Sequence, residues 1–258
     1  QQWIKDSGID YPLVIGGYKA LRRFLIDSLE AQIESGQFRI LSGRTGTGKT
    51  RVLMQLPNPV DLEGLANHRG SSFGRQVTPQ PSQIDFENRL AVAMLKARHQ
   101  VGGPIYLEDE SRLIGRCALP ETLRARMSES PLLILEQAME ERIAIIRADY
   151  VEGMLASYRA RDGEDAGWLN FRDYLLSAID RIRKRLGGER FQRLSTLLDQ
   201  ALACLPAAHL RLCFERLLAD IPASRAGLPD LIQLWPGERR YRMIEVKGPG
   251  DRLQDNQR

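Results

Sequence analysis

The stretch ILSGRTGTGKTRVL, residues 40–53, decides the fold expected for the first half of this chain. A short apolar run leads into the spacing G-x-x-x-x-G-K-T, and an apolar helical pattern follows it. Glycines allow several backbone N–H groups to point at one anion, and the following helix adds the positive end of its dipole. The pattern is a phosphate-binding loop (P-loop), and its predicted ligand-binding residues are Gly43, Arg44, Thr45, Gly46, Thr47, Gly48, Lys49 and Thr50.

Two side chains of this loop carry predicted chemistry. Lys49 supplies a positive charge to the terminal phosphate, and the hydroxyl of Thr50 is a ligand for Mg²⁺. A P-loop protein also places an acid after a later apolar strand, and PIYLEDES offers Glu108, Asp109 and Glu110. Alternation places Glu108 and Glu110 on one face of that strand and Asp109 on the other. Asp109 is the predicted metal ligand that accompanies Thr50, while a solvated, charged strand end is the alternative.

The polar stretch DLEGLANHRGSSFG, residues 61–74, follows soon after the P-loop helix and is rich in small residues. Arg69 in this stretch can bind a phosphate through two parallel hydrogen bonds. His68 can donate a proton or a hydrogen bond near physiological pH. Together with Lys49, these two residues are the predicted catalytic residues, and a merely polar loop is the alternative.

Strands and helices alternate between residues 38 and 150, which is typical of a parallel, doubly wound sheet. The expected fold class is therefore α/β, with a P-loop NTPase-like parallel sheet flanked by helices. A helical region follows this sheet. Residues 58–83 are expected to form a long loop, and residues 82–99 a helix capped by Ser82. The expected strands are 11–17, 38–41, 103–111, 131–137 and 142–150. Two further strands, 228–235 and 241–248, are expected around the turn PGERR and would form a hairpin.

Composition excludes several classes of protein. The three cysteines, Cys117, Cys204 and Cys213, are far apart and form no C-x-x-C, which argues against a zinc site or a disulfide framework. Reduced thiols indicate a cytoplasmic location. Without a run of about 18 apolar residues, no membrane span is expected.

A formal net charge of +4 and a pI near 9.1 are compatible with nucleic acid binding. The segment RIRKRLGGER, residues 181–190, is the candidate surface for phosphate contacts, and a solvated basic helix is the alternative. Aromatic side chains that could stack on bases recur at helical spacing, so a place in the core is favoured over stacking. They are Tyr158, Trp168, Phe171 and Tyr174.

Five motifs in the same order resemble the tRNA 2-selenouridine synthase family. They are GGYKALRR, GRTGTGKTRVL, DLEGLANHRGSSFG, QPSQIDFEN and YLEDESRLIG, and GGERFQRLSTLLDQALA extends the resemblance to about residue 203. The family joins a rhodanese domain to a P-loop domain. The resemblance divides the chain into a rhodanese end with a linker helix (1–30), a P-loop α/β domain (31–150) and a helical region (151–203).

The resemblance implies a tRNA-modifying transferase that acts on wobble 2-thiouridine in the anticodon region. Geranyl diphosphate would donate a geranyl group to sulfur, and selenophosphate would then supply selenium in the complete enzyme. Mg²⁺ and the P-loop would stabilise the departing pyrophosphate. The family's rhodanese cysteine has no equivalent here, so the activity of this chain is expected to be incomplete.

The last segment carries a second resemblance, to the VRR-NUC nuclease domain of Fanconi-associated nucleases. In GLPDLIQLWPGERRYRMIEVKGPGDRLQDNQ, Asp230 and Glu245 would hold Mg²⁺, and Lys247 would lie beside the attacking water. Gln257 belongs to the same pattern. The resemblance implies a partial PD-(D/E)xK-like α/β segment over residues 204–258, which would act on DNA.

Three functions therefore remain open: the tRNA-modifying transferase, a Mg²⁺-dependent, structure-specific DNA nuclease, and an inactive chimeric fragment. The two families do not normally share a chain, and both ends are expected to be cut. A natural fusion, an engineered chimera or an assembly error would each produce such a join near residues 203–210.

Overall fold

The computed structural model of this chain describes residues 5–9, 14–100, 102–204 and 231–244. It divides into two compact units, which meet in sequence between Glu136 and Gln137. The first unit contains the P-loop and is called the P-loop unit below. The second is mainly helical and is called the helical unit.

The P-loop unit alternates helices with short strands, as the sequence predicts. In chain order its elements are α1 (Gly17–Ser35), β1 (Phe38–Ser42), α2 (Lys49–Leu53), β2 (Pro59–Val60), α3 (Leu62–Ala66), α4 (Gln83–Gln100), β3 (Ile105–Glu108), β4 (Leu113–Ile114), β5 (Cys117–Ala118), α5 (Glu121–Glu129) and β6 (Leu132–Ile134).

Four of these strands form one parallel sheet in the order β2-β3-β1-β6. In this sheet β1 lies between β3 and β6, with Ile40 paired to Leu107 on one side and to Leu132 on the other. Because all strands are parallel, their carboxyl ends lie at one edge of the sheet, where both the P-loop and the acids after β3 begin. The predicted α/β class with a parallel sheet is confirmed.

The core of the P-loop unit lies between the sheet and helices α1, α4 and α5. Phe86, Leu90 and Met94 of α4 are fully buried and share this core with Ile40 and Leu107 of the sheet. Spacings of four residues place those three side chains on one face of the helix. The predicted cap is confirmed, since the Ser82 hydroxyl accepts a hydrogen bond from the Asp85 backbone N–H at 3.1 Å.

The expected long loop over residues 58–83 is wrong in its first part. It contains β2, which pairs with β3 through Pro59–Tyr106 and Val60–Leu107, and then helix α3. A two-residue strand has no sequence period of its own, so only its pairing with β3 reveals it. The strand expected over 11–17 is not seen where the chain is described, because residues 14–16 are coil and turn and residues 11–13 lie outside the described ranges.

The strand expected at residues 142–150 is also wrong, since this segment is helical and belongs to the helical unit. Glu140 and Glu141 lie in the first turn of the helix and Arg147 in its last, where their charges interact favourably with the helix dipole. This stabilisation of a helix outweighs the preference for a strand that the apolar run between them suggested. The unit contains α6 (Met139–Arg147), a π-helical turn (Ala148–Glu152), α7 (Gly153–Asp162), α8 (Glu164–Arg181), α9 (Arg183–Leu186), α10 (Gly188–Cys204), β7 (Leu231–Trp235), a 3₁₀ turn (Pro236–Glu238) and β8 (Arg240–Ile244).

Aromatic side chains form the core of the helical unit. Phe171 and Tyr174 of α8 are buried, with ring centroids 6.1 Å apart, and Tyr158 of α7 and Trp168 pack against them. These rings are therefore packed against one another, as the helical spacing favoured.

The predicted hairpin at the end of the chain is present, with β7 and β8 antiparallel from Leu231–Ile244 to Trp235–Arg240. A two-stranded hairpin occurs in many folds, so it does not establish the nuclease-like segment. Asp230, Glu245, Lys247 and Gln257, the predicted nuclease residues, lie outside the described ranges.

Within the described ranges no helix has both the length and the apolar composition that crossing a bilayer requires. Cys117 and Cys204 are buried free thiols, and Cys213 lies outside the described part of the chain.

Candidate phosphate and cation site

The P-loop wraps around the start of α2 in a conformation that depends on glycine. Gly46 and Gly48 have φ angles of 85° and 74°, in the left-handed region that other residues rarely adopt. The Lys49 ammonium donates a hydrogen bond to the carbonyl oxygen of Gly43 at 2.9 Å, across the mouth of the loop. The loop therefore has both features that a phosphate group requires, turned backbone and an ammonium group beside it.

Position 43 requires glycine because neighbouring atoms leave no room for a side chain, and not because of its backbone angles. A Cβ at this position would lie 2.7 Å from both the carbonyl oxygen of Leu135 and the hydroxyl of Thr47. Thr47 in turn donates its hydroxyl to the carbonyl oxygen of Arg44 at 2.9 Å. These contacts pack the loop closely against the segment that follows β6.

Thr50 lies next to a buried carboxylate at the end of β3. Its hydroxyl donates a hydrogen bond to Glu108 Oε1 at 2.6 Å, and Glu108 is 0% exposed. Within the described ranges Glu108 Oε2 has no hydrogen-bond partner. Burial raises the pKa of Glu108 to about 7, against the lowering effect of the Thr50 hydrogen bond.

Asp109, the predicted metal ligand, has a different partner. Its side chain is exposed, and Oδ2 accepts a hydrogen bond from the hydroxyl of Ser42 at 2.7 Å. The predicted alternation across the strand is present, and the carboxylate on the Thr50 side is that of Glu108. Glu108 therefore occupies the position that the sequence analysis gave to Asp109, whose role as a ligand stays a prediction.

Glu63 and Glu110 complete a group of three carboxylates with Glu108, called the carboxylate triad below. One oxygen from each lies within 4.8 Å of the others. Burial, and then the charges of Glu108 and Glu110, raise the pKa of Glu63 to about 8. Burial also raises the pKa of Glu110, whose carboxyl group shares a hydrogen bond with that of Glu63. The charge of Lys49 lowers the pKa of all three, which places its ammonium near the triad.

Sequence reasoning did not single out Glu63 as a ligand. Helix α3 carries Glu63 in its first turn, and the side chain of Asp61 caps that helix by accepting the Gly64 N–H at 2.7 Å. The available signal was an acid three residues after β2, at the same sheet edge as Glu108. That signal depends on recognising β2 first.

The polar stretch after α3 turns back towards the triad. His68 and Arg75 form an isolated antiparallel bridge, and Gly70 between them has φ +52°. A Cβ on Gly70 would lie 2.5 Å from Glu110 Oε2 and 2.8 Å from Glu63 Oε1. Arg69 directly precedes Gly70 and is therefore close to the triad in sequence. The catalytic roles of Arg69 and His68 stay predictions.

Gln80, the first residue of the motif QPSQIDFEN, connects this stretch to the β4–β5 hairpin through hydrogen bonds, a role that the motif alone did not predict. Its amide Nε2 donates to the carbonyl oxygens of Ala66 and Ile114, both at 2.9 Å, and its Oε1 accepts the Arg116 N–H at 2.9 Å. Gly115 lies next to Gln80 and His68, and a Cβ on it would be 2.7 Å from His68 Cδ2. The position of His68 therefore depends on Gln80 and Gly115.

Comparison with known proteins shows the family of this chain. Residues 36–218 match the model of a family described as the tRNA 2-selenouridine synthase AAA domain. This chain belongs to the tRNA 2-selenouridine synthase family. The match includes the P-loop, the triad and the basic segment, and it reaches residue 218, beyond the expected boundary at 203. A family of tRNA-modifying enzymes supports an enzymatic role for the chain.

Three relatives named tRNA 2-selenouridine synthase show how much of the protein is present. The chain is 95% identical to the protein of Marinobacter nauticus over 202 residues, covering 78% of this chain and 55% of the relative. The figures are 52% over 204 residues for Hahella chejuensis, covering 79% and 54%, and 51% over 202 residues for Pseudomonas syringae pv. tomato, covering 78% and 55%. The chain thus spans about half the length of the curated relatives it matches.

One solved structure is also similar, described as paFAN1 bound to a 5′-flap DNA with a gap. The likeness has 49% sequence identity and covers 46% of this chain and 20% of the other, with a TM-score of 0.29. A score this low does not indicate a shared fold, so the nuclease resemblance remains a prediction.

Proposed function

We propose that this chain binds the diphosphate of an allylic donor at its P-loop and transfers the geranyl group to wobble 2-thiouridine in tRNA. Family membership supports the tRNA substrate, and the P-loop supports the diphosphate. The observation that carries the proposal is the juxtaposition of Lys49, Thr50 and the buried Glu108 at one edge of the sheet. An anion held there would meet an ammonium group, backbone N–H groups and a metal site together.

The residues present fit Mg²⁺, which P-loop proteins use with phosphate ligands. Glu108 has a buried oxygen that lacks a hydrogen-bond partner within the described ranges, and Thr50 presents its hydroxyl beside it. Mg²⁺ prefers oxygen ligands of these kinds and binds through one or two carboxylates plus phosphate oxygens. Bound there, Mg²⁺ would neutralise charge on the diphosphate oxygens.

Pyrophosphate is the leaving group in the proposed transfer. As the allylic C–O bond breaks, its electron pair stays on the diphosphate oxygen, where Lys49 and the loop N–H groups stabilise the growing charge. The thiocarbonyl sulfur of 2-thiouridine forms the new C–S bond, and the base loses its N3 proton. The scheme requires no hydrolysis of ATP.

Arg69 and His68 are the proposed second contact with substrate. Arg69 would bind the distal phosphate or the tRNA backbone, and His68 would accept the proton that the base loses. Gly70 supports this proposal because it brings the stretch to within van der Waals distance of Glu63 and Glu110.

The basic segment 181–190 is the proposed tRNA-binding surface. Its charged side chains are all exposed, and Arg183 and Arg185 lie in the short helix α9. Exposed arginine and lysine side chains of this kind supply phosphate contacts whose strength falls with salt concentration. Replacement of the geranylthio group by selenium, with selenophosphate as donor, is proposed for the whole protein, of which this chain spans about half.

Binding of geranyl diphosphate to the full chain tests the proposal. Titration calorimetry with Mg²⁺ should show binding to the wild type, and Lys49→Ala should weaken it by about 100-fold, since a charge-assisted contact to phosphate is lost. Lys96→Ala, on the exposed face of α4, is the matched control and should bind normally. Equal affinities of Lys49→Ala and wild type would exclude the proposed role of the P-loop.

A nuclease function has no observation in its favour within the described ranges. It stays a prediction that Mg²⁺-dependent cleavage of flap DNA and its loss in Asp230→Ala would establish. An inactive fragment is the outcome expected if neither geranyl diphosphate nor flap DNA is recognised by a folded chain.

A further inference from the structure

The carboxylate triad contains more carboxyl groups than Mg²⁺ beside the proposed diphosphate needs. P-loop proteins bind Mg²⁺ through a hydroxyl, one acid and the phosphate oxygens. Here Glu63 and Glu110 are added to Glu108, and an oxygen of each lies within 4.8 Å of the others. Oxygen ligands bind Mg²⁺ or Ca²⁺ at about 2.0 to 2.6 Å, so oxygens on opposite sides of one ion are about 4 to 5 Å apart.

Glu108 gives an independent sign that a ligand belongs there. It is 0% exposed, and within the described ranges its Oε2 atom has no hydrogen-bond partner. A buried carboxylate oxygen without a partner is costly, and a cation is the partner that offsets the cost most completely. Lys49 lowers the pKa of all three carboxyl groups, and a divalent cation bound among them would act in the same direction.

The backbone at Gly70 also lies close to the carboxylates of the triad. Gly70 has φ +52°, and any Cβ there would lie 2.5 Å from Glu110 Oε2 and 2.8 Å from Glu63 Oε1. The glycine lets the backbone pass close to the carboxylates of Glu63 and Glu110. A change in the positions of the triad carboxylates would therefore also move the stretch that carries His68 and Arg69.

We propose that Glu63, Glu108 and Glu110 form a site that binds one divalent cation before any phosphate-bearing ligand is present. The inference deepens the proposed function, because it rests on that function for the role of the bound cation next to the diphosphate. Glu63 and Glu110 supply the ligands that phosphate oxygens supply elsewhere, and the bound cation orders the stretch around Gly70.

The test uses Mn²⁺ alone, in phosphate-free buffer, with the full chain. Electron paramagnetic resonance of free Mn²⁺ counts the ions bound, and the wild type should bind one. Glu63→Gln and Glu110→Gln should each weaken binding by at least about 10-fold, in the range seen when a metal's ligand environment is altered. Glu121→Gln, which changes an exposed acid on α5, is the matched control and should bind as the wild type does.

Thermal unfolding separates a lost ligand from a lost fold. Without metal, Glu63→Gln should melt at or above the wild-type temperature, because glutamine cannot ionise beside Glu108 and Glu110. Added Mn²⁺ should raise the melting temperatures of the wild type and of Glu121→Gln by more than that of Glu63→Gln. Two results overturn the proposal: no Mn²⁺ binding by the wild type without diphosphate, or unchanged binding by a properly folded Glu63→Gln. Mn²⁺ binding without any response to geranyl diphosphate would instead overturn the proposed function and leave this inference standing.

Discussion

Glu108 of the P-loop unit is completely buried, whereas the charged residues of segment 181–190 in the helical unit are all exposed. A buried carboxylate is costly unless a cation or a donor compensates it, so its presence indicates a binding site with defined geometry. Exposed arginine and lysine side chains have little desolvation cost, and their charges attract a polyanion at long range. In the proposed function, the first unit would hold a small charged ligand and the second would attract a large one.

Two glycines, one in each unit, have different surroundings. Gly115 of the P-loop unit has φ +62°, and a Cβ there would lie 2.2 Å from Gln80 Oε1. Gly187 of the helical unit has φ +77°, and a Cβ there would meet no atom within 4 Å. Both positions require left-handed backbone, but only Gly115 lies against a polar network.

Alanine at these two glycines gives the largest expected effect on stability. Gly115→Ala should lower the free energy of unfolding by about 3 kcal/mol, from backbone strain and overpacking together, and Gly187→Ala by about 1 kcal/mol, from strain alone. Urea denaturation followed by circular dichroism measures both. Similar losses for the two variants would mean that the network around Gln80 and His68 is not closely packed, against the description of the site given above.

Removal of a surface charge should have a smaller effect, and only on tRNA binding. Arg185→Ala should leave geranyl diphosphate affinity unchanged and weaken tRNA binding a few-fold at about 0.15 M salt. The slope of log affinity against log salt should fall by about 0.7 to 0.9, the value for one phosphate contact. Fluorescence anisotropy with labelled tRNA measures the slope.

Arg124→Ala in the P-loop unit is the matched control for that experiment. Arg124 pairs with Glu121 at 3.1 Å on the surface of α5, and its removal should not change the slope. If Arg185→Ala and Arg124→Ala behaved alike, the assignment of tRNA binding to the helical unit would be wrong.

The features that the sequence predicted correctly are those encoded by neighbouring residues. The P-loop depends on glycines and a lysine within eight positions, and the cap of α4 on Ser82 and Asp85, three positions apart. The parallel sheet follows from the alternation of strands and helices. In each case the deciding interactions lie within a few residues of one another.

The features that were missed depend on pairing between distant residues. Strand β2 exists because Val60 pairs with Leu107, and the triad exists because β2 brings Glu63 to the end of the strand that precedes Glu110. Glu108, Asp109 and Glu110 look alike in sequence as acids at a strand end, and only the contact with Thr50 distinguishes Glu108, while the ligand role of Asp109 stays a prediction. The helix over Met139–Arg147 was taken for a strand because a short apolar run fits both.

A crystal structure of the full chain with Mg²⁺ and a non-hydrolysable analogue of geranyl diphosphate tests the central claim most directly. The account predicts that diphosphate oxygens accept hydrogen bonds from the backbone N–H groups between Gly46 and Thr50, and that Lys49 leaves the carbonyl of Gly43 to contact them. An analogue bound elsewhere on the chain, with the P-loop N–H groups free of phosphate, would contradict it.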